Sequence, residues 1–327
     1  MAAAHPIDAD IWLQHAWQNR LQSLLLLAVM AGFLGLSGWL LWGRDGLLVL
    51  VSVGAVSVLA NPSLSPRLVM RMYGARPITQ SAAPVLWQAL LALSARADLA
   101  STPRLYYIPS RMLNAFAVGT PMNSAIAVTD GLLRRLTMDE LLGVLAHEVS
   151  HIRNKDLWVM GLADLFSRAT SLVSLLGQFL LLLNLPLILF SQVTINWWAI
   201  LLLIFAPNLS ALAQLALSRT REYDADLNAA RLTGNPEALA RALAKMERIQ
   251  GGWLERLFLP GRRIPEPSLL RTHPPTEERI GRLMALKPRL RDAADPWGSG
   301  PILPDMDALW GERVRRLPRW HMNGLWY

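Results

Sequence analysis

The sequence predicts a mainly helical integral membrane protein, with four transmembrane helices and a further domain that holds a small β-sheet. Three observations lead to this fold class. Long runs of the chain contain no charged residue, short β-rich runs alternate with turn residues, and the remaining segments have amphipathic helical spacing.

Three segments are free of Asp, Glu, Lys and Arg, namely residues 21–43, 46–66 and 169–218. A spanning helix needs about 20 apolar residues, so the first two segments allow one span each and the third allows two. An Asn-Pro pair at Asn61 cuts the second span short. The last two spans are predicted to form a hairpin that turns at residues 191–196, with prolines at 186 and 207 as kinks or ends.

The first apolar segment has one alternative interpretation, a cleaved signal peptide. Its apolar region is longer than the roughly 7 to 15 residues of such a peptide, which favours a retained anchor. The chain is therefore divided into an N-terminal segment (residues 1–20), two spans (21–66), a first soluble part (67–168), a hairpin (169–218), a second soluble part (219–290) and a tail (291–327).

The first soluble part contains the predicted sheet. Residues 104–108, 115–118 and 125–129 are β-rich and are separated by turn residues such as Pro109 and Gly119. A helix follows, because Thr137 and Glu140 have the spacing of a capping box ahead of an apolar stripe. The fold outside the membrane is therefore predicted to be helical with a small sheet.

The helix that Thr137 begins carries His147, Glu148 and His151 in the pattern HExxH. Histidines at positions i and i+4 lie on one face of a helix, so both imidazoles can bind one metal ion with the glutamate beside them. A core helix with two satisfied histidines is the alternative. Two histidines that flank a glutamate in an apolar segment favour the metal site.

A hydrolytic zinc site takes three protein ligands and leaves one position for water. The candidate for the third ligand is Glu222, which follows the last apolar run, and Asp226 lies one helical turn further on. Asp226 can accept the second ring proton of a ligating histidine and so fix its tautomer. The same pattern near arginines is also typical of a solvated charged face. After HExxH, the metal-binding interpretation is favoured.

The formal charge of +8 does not indicate nucleic-acid binding, because only three of the 32 basic residues are lysines and the arginines are scattered. The positions of the arginines indicate orientation instead. Arg67, Arg71 and Arg76 follow the second span, and Arg168 and Arg219 flank the last two. The positive-inside rule therefore predicts that both soluble parts lie in the cytoplasm. The chain has no cysteine, which excludes disulfides and a cysteine nucleophile.

Four motifs resemble those of the membrane-integrated HtpX-type zinc endopeptidases, relatives of the CAAX prenyl proteases. They occur in the family's order and are NAFAVG from Asn114, HEVSHIRNKD from His147, SRTREYDAD from Ser218 and THPPTEERI from Thr272. The resemblance implies a zincin-like metalloprotease domain with one Zn²⁺ per chain, held by His147, His151 and Glu222. It also implies that Glu148 is the general base.

The same resemblance implies two further roles. His273 and Arg279 would stabilise the transition state, and the strand that includes Asn114, Ala115, Phe116 and Ala117 would bind substrate. For His273 and Arg279 the alternative is a helix-start motif, in which two prolines open a helix.

The predicted function is thus that of a zinc endopeptidase in the bacterial cytoplasmic membrane, with its protease domain facing the cytoplasm. Its substrates would be membrane or unfolded polypeptides, and the family implies a role in membrane-protein quality control and stress response. Glu222 follows the last charge-free run by only a few residues, which predicts an active site near the bilayer. The alternatives are a CAAX-type processing protease and a catalytically silent membrane adaptor of the same fold. The tail is rich in Pro, Trp and Arg, and it is predicted to lie at the membrane interface, to fold over the protease domain or to be poorly ordered.

Overall fold

The computed structural model describes residues 9–60, 65–190, 197–250 and 274–286. The described residues form two compact units. The first comprises Met1–Gln18, Ser63–Leu157 and Arg221–Tyr327, and the second comprises Asn19–Pro62 and Trp158–Thr220. The predicted hairpin turn at residues 191–196, the tail at 291–327 and His273 lie outside the described residues.

The elements outside the apolar helices are a four-stranded sheet and a set of helices. In chain order these are α2 (Pro66–Met72), β1 (Arg76–Pro77), α3 (Pro84–Arg96), β2 (Arg104–Ile108), β3 (Ala115–Thr120), β4 (Asn123–Thr129), α4 (Asp130–Arg135), α5 (Met138–Arg153), α9 (Pro236–Gln250) and α10 (Thr276–Ala285). The apolar helices are α1 (Ala9–Ala60), α6 (Asp156–Leu183), α7 (Leu185–Phe190) and α8 (Trp197–Thr233).

The sheet is mixed, with strand order β1-β2-β4-β3. β2 and β4 are parallel, whereas β1 pairs with β2 and β3 pairs with β4 in antiparallel register. The small predicted sheet is confirmed, and it gains a two-residue strand at Arg76 that was not predicted. Among the described strands, β3 is an edge strand, because β4 is its one neighbour.

The two faces of the sheet pack against different helices. Ala117, Ile126 and Val128 join a large core that includes α3, α5 and α9. Phe116 and Val118 point the other way and pack against α2. This alternation follows from the two-residue period of a strand, and it puts β3 against the same core as α5.

Helix α5 begins as the sequence predicts. The Thr137 hydroxyl accepts from the backbone N–H of Glu140, and the Glu140 carboxylate accepts from the backbone N–H of Thr137, which completes the capping box. Gly143 then allows α9 to come close, because a Cβ there would lie 3.0 Å from the Cα of Leu239. The helix is buried over most of its length, so its polar side chains lie away from bulk water.

In the second unit, α1 is two helices joined at a sharp break. Trp42 and Gly43 have non-helical backbone angles, and Gly43 has φ 61° and ψ −141°, which only glycine adopts readily. A Cβ added at Gly46 would overlap the carbonyl oxygen of Gly38. Eight residues in one straight helix are about 12 Å apart, so this contact requires the chain to reverse direction. Gly38 and Gly46 permit the close approach of the two halves.

The other helices of this unit are α6, the short α7 and the part of α8 up to Thr220; α6 and α8 carry the predicted third and fourth spans. Their contact includes Gly177, where a Cβ would meet Leu203, and Ser174, whose hydroxyl donates to the Leu203 carbonyl. Large apolar side chains such as Leu172 (67% exposed) and Trp198 (82% exposed) cover the outside. Such a surface requires lipid rather than water around it.

The predicted count of four spans is not confirmed as it stands. Three described helices are long and apolar enough to cross a membrane, at Trp12–Ser52, Asp156–Leu183 and Trp197–Thr233. The first of these contains the first predicted span and only the beginning of the second, which continues along α1 to Ala60. Helix α6 begins at Asp156, so it extends ahead of the predicted hairpin bound at 169, and its first turns carry the ion pair of Asp164 and Arg168.

Candidate metal centre

Helix α5 brings the two histidines of HExxH together on a buried face. The Nε2 atoms of His147 and His151 are 3.1 Å apart, and the two rings meet edge to face. Both side chains are buried. Two ring nitrogens that face each other at this distance are suited to a shared cation, since each can contribute a lone pair.

The third side chain of the group comes from α8. The carboxylate oxygens of Glu222 lie 3.5 Å from Nε2 of His147 and 3.5 Å from Nε2 of His151. Ligand atoms of a tetrahedral zinc site, at bonds of about 2.0–2.1 Å, stand about 3.3 Å from one another. The three separations are near this value, with Oε2 of Glu222 nearest to His147 and Oε1 nearest to His151. The group of His147, His151 and Glu222 could therefore hold a metal ion.

The other ring nitrogen of each histidine faces a carboxylate. Nδ1 of His147 lies 2.9 Å from Oδ1 of Asp226, the residue that the sequence predicts for this position. Arg279 in turn donates from Nε and Nη2 to the two oxygens of Asp226, each at 2.7 Å. Its Nη1 is also 3.4 Å from Glu222. The structure thus brings Arg279 to the site, with most of its guanidinium engaged by these two carboxylates.

Asp156 and Arg221 were missed by the sequence reasoning. Nδ1 of His151 lies 2.6 Å from Oδ2 of Asp156, and Nε of Arg221 donates to Oδ1 of Asp156 at 2.6 Å. A two-residue link of Asn154 and Lys155, the latter with φ 55°, turns the chain between α5 and α6 and precedes Asp156. A usable signal was present, because Asp156 follows HExxH by five residues and Arg221 directly precedes Glu222.

The charges of the site are unbalanced without a cation. Five carboxylates are buried here against two buried arginines, which leaves a formal excess of three negative charges. The carboxylates belong to Glu148, Asp156, Glu222, Asp224 and Asp226, and the guanidinium groups to Arg221 and Arg279. Buried charge of one sign is strongly unfavourable, so the donor set fits a divalent ion.

The guanidinium of Arg279 responds to the same field. Burial alone favours its neutral form, but the carboxylates of Asp226, Glu222 and Glu148 outweigh burial and raise the pKa of Arg279 above its usual range. Arg279 therefore stays charged at every working pH.

Glu148 differs from the other acidic residues of the site. Its side chain is buried, and its Oε2 has no hydrogen-bond partner among the described residues. Buried polar atoms without a partner are uncommon and are often found where function needs them. This oxygen is available to a water molecule or a substrate group.

The predicted substrate segment lies beside α5. Asn114 precedes β3, and its carbonyl accepts from the backbone N–H of Thr129, which begins the antiparallel ladder with β4. Hydrogen-bonded pairs alternate along such a ladder. Residues 114, 116 and 118 therefore bond towards β4, while the N–H and C=O groups of Ala115 and Ala117 point to the opposite edge.

A buried helix with HExxH, a carboxylate from a second helix and an apolar helical unit define a membrane metalloprotease. The comparisons with known proteins agree. The model of peptidase family M48 matches residues 81–287. The chain belongs to peptidase family M48.

Three relatives show how far the similarity extends, and each is described as a protease HtpX homolog. The Nostoc punctiforme protein is 34% identical over 287 residues, covering 83% of this chain and 98% of the relative. The Acaryochloris marina protein is 36% identical, covering 84% and 96%. The Pelotomaculum thermopropionicum protein is 37% identical, covering 82% and 99%. A crystal structure of S. mikatae Ste24p aligns with a TM-score of 0.40 and 21% identity, over 85% of this chain and 67% of that one.

Proposed function

We propose that this M48 metalloprotease is a zinc-dependent endopeptidase that hydrolyses membrane or unfolded polypeptides in the quality control of membrane proteins. One observation carries the proposal. The Nε2 atoms of His147 and His151 and the carboxylate of Glu222 converge at 3.1 to 3.5 Å. Nitrogen and oxygen donors at such separations favour zinc over the larger hard cations, which prefer more oxygen ligands.

In this proposal His147, His151 and Glu222 hold one Zn²⁺ per chain. When bound, the ion acts as a Lewis acid that polarises the scissile carbonyl and makes water more acidic. Asp156, which is hydrogen-bonded to Nδ1 of His151, keeps the ring proton there and leaves the Nε2 lone pair for the ion. Asp226 lies 2.9 Å from Nδ1 of His147, outside hydrogen-bond geometry, and is proposed to do the same for that ring.

Glu148 moves the protons. Its Oε2 accepts a proton from the attacking water and then delivers that proton to the leaving amine nitrogen. The support for this role is the buried oxygen without a hydrogen-bond partner in the described part of the chain, directly next to His147 in α5. Burial excludes bulk water, which would otherwise compete for the proton.

The developing negative charge requires donors besides the metal ion. His273 and Arg279 are proposed as these donors because the segment THPPTEERI, which contains both, resembles a motif of the HtpX-type endopeptidases. Arg279 holds a position from which it also orients Asp226 and Glu222. The proposed contribution of Arg279 is therefore positional as well as electrostatic.

The substrate is proposed to bind along β3 in an extended conformation. An edge strand accepts a further strand through its outward N–H and C=O groups, which here belong to Ala115 and Ala117. Main-chain bonds of this kind are independent of sequence. They suit a protease that acts on many unfolded segments.

The proposed topology has four spans in the bacterial cytoplasmic membrane, with the protease domain on the cytoplasmic side. The reversal at Trp42 and Gly43 supports two spans within α1. The exposed Arg67 and Arg71, which follow that helix, support a cytoplasmic position for the next segment. Glu222 follows the charge-free run closely, so substrates at the bilayer surface are within reach.

The experiment that tests this function combines metal analysis with cleavage of an unfolded protein. The full chain, purified in detergent, is expected to contain about one zinc per molecule and to cleave casein. A chelator should abolish cleavage, and added zinc should restore it. Protein that is folded, contains no zinc and is unaffected by chelation would refute the proposal.

A further inference from the structure

We propose that Asp156 and Arg221 are positioning residues of the metal site, which hold His151 in the tautomer whose Nε2 can bind a cation. The inference rests on the proposed function, because it requires His151 to be a metal ligand. It adds two residues to the site and gives each a task that can be measured separately from catalysis.

The contact with Asp156 determines which ring nitrogen of His151 carries the proton. Nδ1 of His151 lies 2.6 Å from Oδ2 of Asp156, and an ionised carboxylate accepts hydrogen bonds but donates none. The ring proton must therefore sit on Nδ1. Nε2 is left with its lone pair, and this atom faces His147 and Glu222.

Arg221 holds the carboxylate of Asp156 in place. Nε and Nη2 of Arg221 both donate to Oδ1 of Asp156, and the Nε bond measures 2.6 Å. The two carboxylate oxygens thus have different tasks, since Oδ1 serves the guanidinium and Oδ2 serves the imidazole. Because Asp156 is completely buried, water cannot replace either partner.

Arg221 lies in α8, the helix that carries the third candidate ligand. It directly precedes Glu222 in α8, whereas Asp156 is the first residue of α6 and His151 belongs to α5. One ion pair therefore connects the histidine of α5 to the helix that carries the third ligand. Nη2 of Arg221 also reaches the Asn154 carbonyl at 3.4 Å, which fixes the link between α5 and α6.

Stability alone does not account for this arrangement. A buried ion pair often adds no net stability compared with apolar residues of similar volume, because both charges lose their hydration. The pair of Arg168 with Asp164 on α6, by contrast, is partly exposed and contacts no member of the metal-binding group. The Asp156 pair, like the buried pair of Asp226 and Arg279, contacts a candidate ligand.

The test begins with Asp156→Asn in the full chain, purified in detergent. The Asn oxygen should remain with the two N–H groups of Arg221, so the amide nitrogen would face Nδ1 of His151. The ring would then have to accept at Nδ1 and carry its proton on Nε2, where it blocks the metal. We expect zinc affinity, measured by competition with a chelating dye, to fall about 10- to 100-fold.

The double variant Asp156→Asn/Arg221→Met makes the test specific. Without the guanidinium, the Asn amide can rotate and offer its oxygen to Nδ1 of His151. Zinc affinity should recover to within about tenfold of wild type and should exceed that of Asp156→Asn alone. A purely structural ion pair predicts the opposite order, since the double variant loses more contacts.

Controls separate this inference from the proposed function. Asp164→Asn, which alters the partly exposed pair on α6, should bind zinc as wild type does. Melting temperatures of the metal-free variants identify any that fail to fold, and Arg221→Gln then replaces Arg221→Met. Wild type that binds no zinc refutes the proposed function. This inference alone is refuted if wild type binds zinc and folded Asp156→Asn binds it with unchanged affinity. It is also refuted if the double variant binds zinc no more tightly than Asp156→Asn does.

Discussion

Arg279 contacts both carboxylate oxygens of Asp226, with Nε to Oδ2 and Nη2 to Oδ1 each at 2.7 Å, although 53 positions separate the two residues. A planar guanidinium matches a carboxylate in this two-point geometry, and an ammonium group does not. Since Asp226 also lies against Nδ1 of His147, the contact extends from α10 to a candidate metal ligand.

The first prediction is that Arg279→Lys lowers zinc affinity about tenfold, because it keeps the charge and loses the two-point contact that orients Asp226. Zinc affinity and kcat should be measured on one preparation. The half-exposed Arg241→Lys serves as a control and should change neither quantity. If Arg279→Lys lowers kcat and leaves zinc affinity intact, the residue acts on the transition state alone.

The second prediction concerns Glu148, whose buried Oε2 has no hydrogen-bond partner in the described residues. Glu148→Gln should keep about one zinc per chain and lose at least ~100-fold in kcat, the scale of a lost general base. Metal content and casein cleavage give the two quantities. Full activity in this variant would exclude Glu148 as the base.

The third prediction concerns Glu222. Glu222→Ala removes the carboxylate that faces both Nε2 atoms, so the purified protein should lose its zinc. Glu237→Ala, which changes an exposed glutamate of α9, should keep it. Equal metal content in the two variants would mean that the third ligand lies elsewhere.

The fourth prediction concerns His273, which by resemblance to the family would stabilise the transition state. His273→Ala should lower kcat about 100-fold, with little change in KM, zinc content or melting temperature. If the residue only begins a helix, melting temperature falls while kcat per folded molecule is retained. A stable, zinc-loaded variant with normal kcat would remove His273 from the site.

The fifth prediction is topological and uses the absence of cysteine from the chain. A single cysteine at Arg44, next to the break in α1, should react with a membrane-impermeant reagent from outside the cytoplasmic membrane. A single cysteine at Met122, whose side chain is 72% exposed, should react only from the cytoplasmic side. Labelling of both positions from the same side would contradict the four-span topology.

The features that sequence predicted well depend on local rules. The capping box of Thr137 and Glu140 is closed by residues three apart, and the strands before it follow from composition and turns. The grouping of His147 with His151 needs only a helix. Glu222 was identified because a zinc site lacks a third ligand after HExxH.

The features that sequence did not predict depend on tertiary contacts. Asp156 was assigned no role although it follows HExxH by five residues, because its other partner, Arg221, is 65 positions away. Residue 169 was predicted as the start of the apolar hairpin, and the extension of helix α6 back to Asp156 was not predicted, since composition marks where a helix becomes apolar rather than where it begins. Asp164 and Arg168 pair across one turn inside this helix and so remain compatible with it.

The discontinuity of the site also has a consequence for biosynthesis. His151 leaves the ribosome well before Glu222, and Arg279 follows about 130 residues after His151, which is roughly 6 to 26 s at ordinary rates of synthesis. The hairpin of residues 169–218 lies between them. The nascent chain therefore lacks a complete set of candidate ligands until Glu222 has been made, and it cannot act as a metalloprotease before that point.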